Sequence, residues 1–274
     1  MDWKYYNHAM IPTTAPHKLP DITPIDNGIV WKNRGGGTPL FARWTSGFDC
    51  GYETGWWYCI KDTPFDITKI NSKKRYEINK GKKNFDIRVI DPTEYVEEIV
   101  EVQKKAWENY PESYRPVIDL EKMKESVLTW MDFKVFGAFG VEDGILHAFS
   151  YLEEHDTWTN LAVLKADPEY EKLAINAALI CGIVEYYNPR LSKSYYICDG
   201  ERNTVHMTGF QSYLIKYFEF RNAYCILNIK YRPGFNTVIN ALRPVKSILA
   251  RFDRCSLIHK INAILKMDEI ARKR

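Results

Sequence analysis

No two cysteines stand at C-x-x-C spacing; the six are scattered at positions 50, 59, 181, 198, 225 and 255. That scatter offers neither a thiolate zinc site nor a redox dithiol. The six histidines also lack ligand spacing, so no metal is expected. The first residues, Met1-Asp2-Trp3-Lys4-Tyr5-Tyr6-Asn7-His8, contain no apolar segment of the kind a secretory leader needs. Nowhere do about 18 apolar residues run together, as a membrane-spanning helix requires. The expectation is a cytoplasmic chain whose core needs no disulfides. A helix-turn-helix pattern is missing too, and the net charge is only +3, so DNA is not an expected partner. Gly35-Gly36-Gly37 lacks the following Lys-Ser/Thr of a phosphate loop and reads as a hairpin turn.

What is present is a chain of 274 residues, 45% hydrophobic, with 18 Tyr, 13 Phe and 8 Trp. It can bury a sizeable core as one large domain or two small ones. Its charge is uneven. From Asn236 onward nine Lys/Arg face three acids, so the tail carries +6 and the rest −3. A second basic cluster, Lys73-Lys74-Arg75 with Lys80, Lys82 and Lys83, lies within the acidic part.

Pro12, Pro16, Pro20 and Pro24 forbid one regular element over 1–27. Short strands follow, at Ile29-Val30-Trp31, Pro39–Trp44 and Gly55–Ile60. Asp66 is a candidate cap for a helix over 67–80 that stops at Gly81. Phe85–Ile90 alternates as a strand, and Asp91-Pro92 opens the next helix. Asp119 opens a short helix over 120–131. Residues 134–231 then read strand, hairpin through Glu142-Asp143-Gly144, strand, strand, helix, strand, helix, strand. Asp167-Pro168 starts the helix that runs to about Tyr187, and a further helix spans about 204–218. The tail reads as two basic amphipathic helices, near 235–254 and 256–271, the first interrupted at Pro244.

This order resembles the GNAT acyltransferase fold. The phrase Ser72-Lys73-Lys74-Arg75-Tyr76-Glu77-Ile78-Asn79-Lys80-Gly81-Lys82-Lys83 is similar to a basic segment of the FemAB-like and CelD (BcsL)-type branch, and so is the opening Asp167-Pro168-Glu169-Tyr170. The resemblance covers roughly 70–232. It implies an α/β (α+β) fold with a mixed, mostly antiparallel sheet flanked by helices. A degenerate N-terminal half (1–69), a GNAT-like domain (70–232) and a helical tail (233–274) are expected. The implied reaction is transfer of an acyl group to an amine or hydroxyl of a small molecule or glycan, in cell-surface polysaccharide or envelope synthesis. The donor would be acyl-CoA, an acyl-carrier protein or aminoacyl-tRNA, the last if the enzyme is Fem-type. A non-catalytic GNAT-like binding module is the alternative of a different class. The chain departs from the family pattern between Leu164 and Leu173, where no glycine-rich pyrophosphate loop occurs and Asp167, Glu169 and Glu171 would repel one.

Acyl transfer needs a base, a donor to the carbonyl oxygen and an acid for the leaving group. His206 is the first candidate base, because histidine titrates near neutral pH; a capping or surface role fits it equally. Asp199 and Glu201 could bind an acceptor amine or pair with Arg202. Glu153, with Glu154 and His155 beside it, ends a strand, and Tyr196 or Tyr195 could supply a phenolic acid. Arg202 and Asn203 are candidates to bind substrate; Lys73, Arg75 and Lys80 could bind phosphates of a carrier or form a solvated charged helix face. The basic tail, 236–274, could rest on anionic lipid at the inner membrane face or pack on protein.

Overall fold

The computed structural model describes residues 2–32, 37–112, 115–202 and 209–273. In chain order the elements are β1 (Trp3–Tyr6), β2 (Ala9–Pro12), α1 (Thr23–Asp26), β3 (Phe41–Ser46), β4 (Trp56–Lys61), α2 (Ser72–Asn84), β5 (Phe85–Ile90), α3 (Val96–Glu108), α4 (Leu120–Leu128), β6 (Lys134–Gly140), β7 (Leu146–Glu154), β8 (Trp158–Ala166), α5 (Ile175–Tyr187), β9 (Tyr196–Glu201), α6 (Phe210–Phe218), β10 (Arg221–Tyr231), α7 (Phe235–Leu242), α8 (Lys246–Leu249) and α9 (Ser256–Arg272). The chain divides into two compact units. One comprises Met1–Cys59, Glu201–Gly209 and Asn222–Arg274; the other comprises Ile60–Gly200 and Phe210–Arg221.

In the first unit β1 and β2 form a hairpin, β2 runs parallel to β3 from Ala9↔Phe41, and β3 pairs antiparallel with β10 from Ile226↔Ser46 to Tyr231↔Phe41. Trp3, Met10 and Ala42 on one face pack with Ile25 and Val30. On the other face Ala9, Phe41, Trp56, Cys225 and Leu227 pack with Met267 of α9. The alternation of strand side chains thus feeds two apolar layers. Asp268 of α9 is buried and accepts from Tyr231 Oη at 2.8 Å, Arg243 Nε at 2.7 Å and Arg272 Nε at 3.0 Å. Burial pushes this carboxyl up, but the bonds from Arg243, Tyr231 and Arg272 outweigh it and hold the carboxyl below its ordinary value.

The second unit is built on β5, β6, β7 and β8, all antiparallel, with β9 parallel to β8. On one face lie α3 and α4, whose Ile99, Val100, Val102, Met123 and Val127 pack with Val135, Phe139 and Phe149 of the strands. On the other lie α2 and α5. This is the GNAT-like fold class that the resemblance implied: a mixed, mostly antiparallel sheet flanked by helices.

Three local expectations are corrected. Ile29–Lys32 is a 3-10 helix rather than a strand. The helix predicted over 67–80 starts at Ser72, because Asn71 caps it by accepting from Lys74 N at 3.0 Å, while Asp66 closes a local turn with Thr68. It also runs through Gly81 to Asn84. Gly81 is where α2 meets α5: a Cβ there would lie 2.5 Å from the Ala174 carbonyl oxygen and 2.9 Å from Ala178 N. The third correction is the helix expected from Asp167. Asp167 caps only a 3-10 segment, Pro168–Leu173, after which Ala174 takes the left-handed conformation at φ 64° and α5 begins afresh. The first residues of α5 and Glu171 of the 3-10 segment both lie near Leu164 of β8. The hairpin turn expected at the triple glycine involves Gly35 and Gly36, which lie outside the described residues.

Candidate functional site

The site follows from how β8 and β9 run. They pair in parallel at Trp158↔Tyr196, Thr159↔Ile197 and Asn160↔Cys198. Pairing stops there, while β8 continues to Ala166 and β9 to Glu201. From Leu161 on, the edge of β8 that faced β9 has no ladder partner from it. On its other edge β8 pairs with β7 at Tyr151↔Val163 and Leu152↔Leu161, so Ala162 is an extra, bulged residue. A bulge frees backbone groups and re-aims a strand. Here it coincides with the parting of the strands, and Ser150 Oγ reaches across to the Val163 carbonyl at 2.7 Å.

A cavity of about 300 Å³ lies beside this unpaired stretch. Leu164 of β8, Ala174 with Asn176 and Ala177 at the start of α5, Phe210 and Tyr213 of α6, Glu77 of α2 and Glu171 line it. The Oδ1 atom of Asn176 is fully buried and has no hydrogen-bond partner among the described residues. A buried oxygen of that kind is an unused acceptor. Burial pushes the Tyr213 phenol up, and nearby Glu77 pushes it the same way, so it stays protonated as a hydrogen-bond donor.

Asp199 stands one residue past the last β8–β9 pair. Burial raises its carboxyl to about 7, against a smaller opposite pull from the Gln211 side chain. Gln211 Nε2 also donates to the Asp199 carbonyl at 3.4 Å. Gln211 is the neighbour of Phe210 on α6, so the same helix that lines the cavity touches Asp199. A carboxyl that titrates near neutrality can accept a proton and return it.

The other predicted residues are distributed as follows. His206 and Asn203 lie outside the described residues. Glu201 is held within the first unit by an ion pair to Arg43 and by Trp56 Nε1 at 3.0 Å. Arg202, also in that unit, lies over the Trp57 ring at 4.5 Å and donates to the Gly55 carbonyl at 2.5 Å. Tyr196 is buried beside the Trp158 ring, and Tyr195 bonds Thr159. Glu153 accepts from Asn160 Nδ2 at 3.0 Å, which places it beside the point of parting. Glu154 instead accepts from Tyr187 and Arg190, at 3.0 and 2.9 Å, a bracing role.

The basic helix does not converge on the cavity. Lys73 is exposed, Lys80 half-buried, and Arg75 Nη2 donates to the Ile70 carbonyl at 3.1 Å; Lys82 pairs with Glu185 at 2.8 Å. The α2 residue that lines the cavity is an acid, Glu77, which sequence reasoning passed over because its neighbours are basic. Asn176 had a usable signal. It is a polar residue among the apolar and small residues of Ile175–Val184. Glu171 was read as repelling phosphate and does line the cavity.

No protein-family model matches the chain, and no curated protein does. Solved structures do. L-PGS from Bacillus licheniformis overlays with a TM-score of 0.53 at 13% identity, covering 90% of this chain and 83% of that one. FemX overlays at 0.48 with 9% identity, covering 70% and 65%. A GCN5-related N-acetyltransferase-like protein from Streptococcus suis overlays at 0.37 with 14% identity, covering 75% and 67%. The first of these shares the fold over most of both chains.

Proposed function

We propose that the chain is an acyltransferase of the GNAT type, with its reaction centre where β9 parts from β8. One observation carries this reading: Asp199, whose carboxyl burial raises to about 7, stands at the first position of β9 beyond its ladder with β8, next to the helix that lines a cavity. The acceptor amine or hydroxyl attacks the donor carbonyl carbon and forms the new C–N or C–O bond. Its proton goes to the Asp199 carboxylate. Backbone N–H groups freed on β8 face the carbonyl oxygen as it gains negative charge. The tetrahedral intermediate then expels the thiol or ribose oxygen of the donor, and Asp199 returns the proton to it. Holding both reactants in one wedge supplies much of the rate. The acceptor class that fits is an amine or hydroxyl of a small molecule or glycan.

The cavity lining favours one class of donor. Glu77, Glu171 and the unused Asn176 oxygen make it a poor place for a pyrophosphate and a good one for an ammonium group. That favours an aminoacyl donor, the Fem-type alternative, over acyl-CoA. The test is a panel of acyl-CoAs, acyl-carrier proteins and aminoacyl-tRNAs with amine and hydroxyl acceptors, read by mass spectrometry. Aminoacyl transfer that rises through about pH 7 and is lost in Asp199→Asn is the expected result. Transfer from acyl-CoA alone overturns the donor assignment. Full turnover by Asp199→Asn removes it as the base, and no transfer from any donor favours the binding module.

A further inference from the structure

The first unit carries an apolar stripe that faces water. Over α7, the proline-containing 3-10 turn Arg243–Val245, α8 and the 3-10 turn Ala250–Phe252, the residues Val238, Ala241, Val245, Ile248 and Phe252 recur at spacings of three and four, the spacing that puts side chains on a common side of helical segments. All five are exposed, with Val238 at 47%, Ile248 at 53% and Phe252 at 57%. Leu257 at the start of α9 is exposed as well, at 68%. The inward side of the same segment is already filled: Ile239 is buried, and Leu242 and Leu249 are half-buried. The stripe therefore is not the packing face of this helix. It is a second apolar face that no described residue covers.

Its charge setting says what fits. The acids of this region are engaged. Asp268 is bonded by Arg243 and Arg272, Glu269 by Lys246 and Lys273, and Asp253 by His259 and Asn262. Arg251, Arg254, Lys260 and Lys266 are exposed, and none has an ion-pair partner among the described residues. The uncompensated charge around the stripe is positive. An apolar face rimmed by free cations complements a surface that is anionic at its boundary and apolar just beneath it. A nucleic acid would satisfy the cations but leave Ile248 and Phe252 in water.

We infer that residues 238–260 are an interfacial membrane-docking surface: the stripe enters the headgroup boundary of an anionic bilayer while Arg251, Arg254 and Lys260 meet lipid phosphates. Among the described residues no helix is long and apolar enough to cross a membrane, so the contact is peripheral and reversible.

The test is sedimentation of the full chain with vesicles of phosphatidylglycerol and phosphatidylcholine, against vesicles of phosphatidylcholine alone and against bulk tRNA. Binding to the anionic vesicles that weakens with salt is expected. Ile248→Ser with Phe252→Ser should weaken it roughly tenfold, as should Arg251→Gln with Arg254→Gln. A polarity-sensitive fluorophore on exposed Cys255, in a Cys50→Ser background, should shift to the blue only with anionic vesicles. These positions are exposed, so melting curves of the variants should match the parent. Failure to bind anionic vesicles at low salt overturns the inference. So does vesicle binding indifferent to the two serines, which would be electrostatic alone. Binding to tRNA without binding to vesicles assigns the cations to nucleic acid instead.

Discussion

Replacing Asp199 by Asn should make the protein more stable, and the gain should grow with pH. The substitution keeps the size of the side chain and removes its charge. Burial lifts this carboxyl from 3.8 to about 7, whereas the unfolded chain returns it to its ordinary value. Below the unfolded value both states hold the proton, and the group neither adds nor removes stability. Between the two values only the native state holds it, so stability falls by about 1.4 kcal/mol for each pH unit of rise. Above about 7 both states are ionised and the penalty is constant. Its ceiling is about 4 kcal/mol, and residual contact with water at this half-buried position brings the expectation to about 2–4 kcal/mol. The neutral amide of the variant carries none of it. Urea midpoints for parent and variant, taken at about pH 4.5 and about pH 8, read the difference directly. At the higher pH the variant's melting temperature should exceed the parent's by roughly 5 °C or more. A gain that is equal at both pH values would refute the reasoning, since it would come from something other than a buried charge. The same variant should lose transfer, so stability and activity are expected to move in opposite directions.

Gly81→Ala would raise helix propensity in isolation, yet it places a methyl against the backbone of Ala174 and Ala178, so a loss of about 1–3 kcal/mol is expected in urea unfolding. Asp268→Asn leaves Arg243 and Arg272 without their shared buried carboxylate and should cost about 3–5 kcal/mol at neutral pH. Because that carboxyl is held below its ordinary 3.8, its contribution is present above that value and disappears as pH falls through the lowered one. The parent and Asp268→Asn should therefore converge in stability on acidification, measured by the same urea midpoints.

Much of the fold is legible in spacing. Phe85–Ile90 appears as the strand its alternation predicts, and the hairpin of β6 and β7 turns at Asp143-Gly144 as expected. Asp119 caps α4 through Lys122 N. Pro244 interrupts the tail helix, as a residue without an N–H must. Other boundaries were set by competition. Asp66 and Asn71 are both able caps, and the choice of Asn71 goes with the close approach of Gly81 to α5. Asp167-Pro168 is a sound helix start, but only a 3-10 turn fits before Ala174 must reverse direction to dock α5.

Spacing and composition by themselves determined most of the strands and helices and their order along the chain, that the tail is basic, and that Asp199 follows a buried strand. Those properties depend on neighbours a few residues apart, which the sequence displays. Tertiary structure decided the rest: that β8 and β9 part after Asn160, that Glu77 and Asn176 share a cavity with Tyr213, and that Ile248 and Phe252 face outward while Leu249 faces in. It also decided the proton affinity of Asp199. Exclusion of water by segments distant in the chain sets a carboxyl's pKa, and no local pattern records which segments those will be.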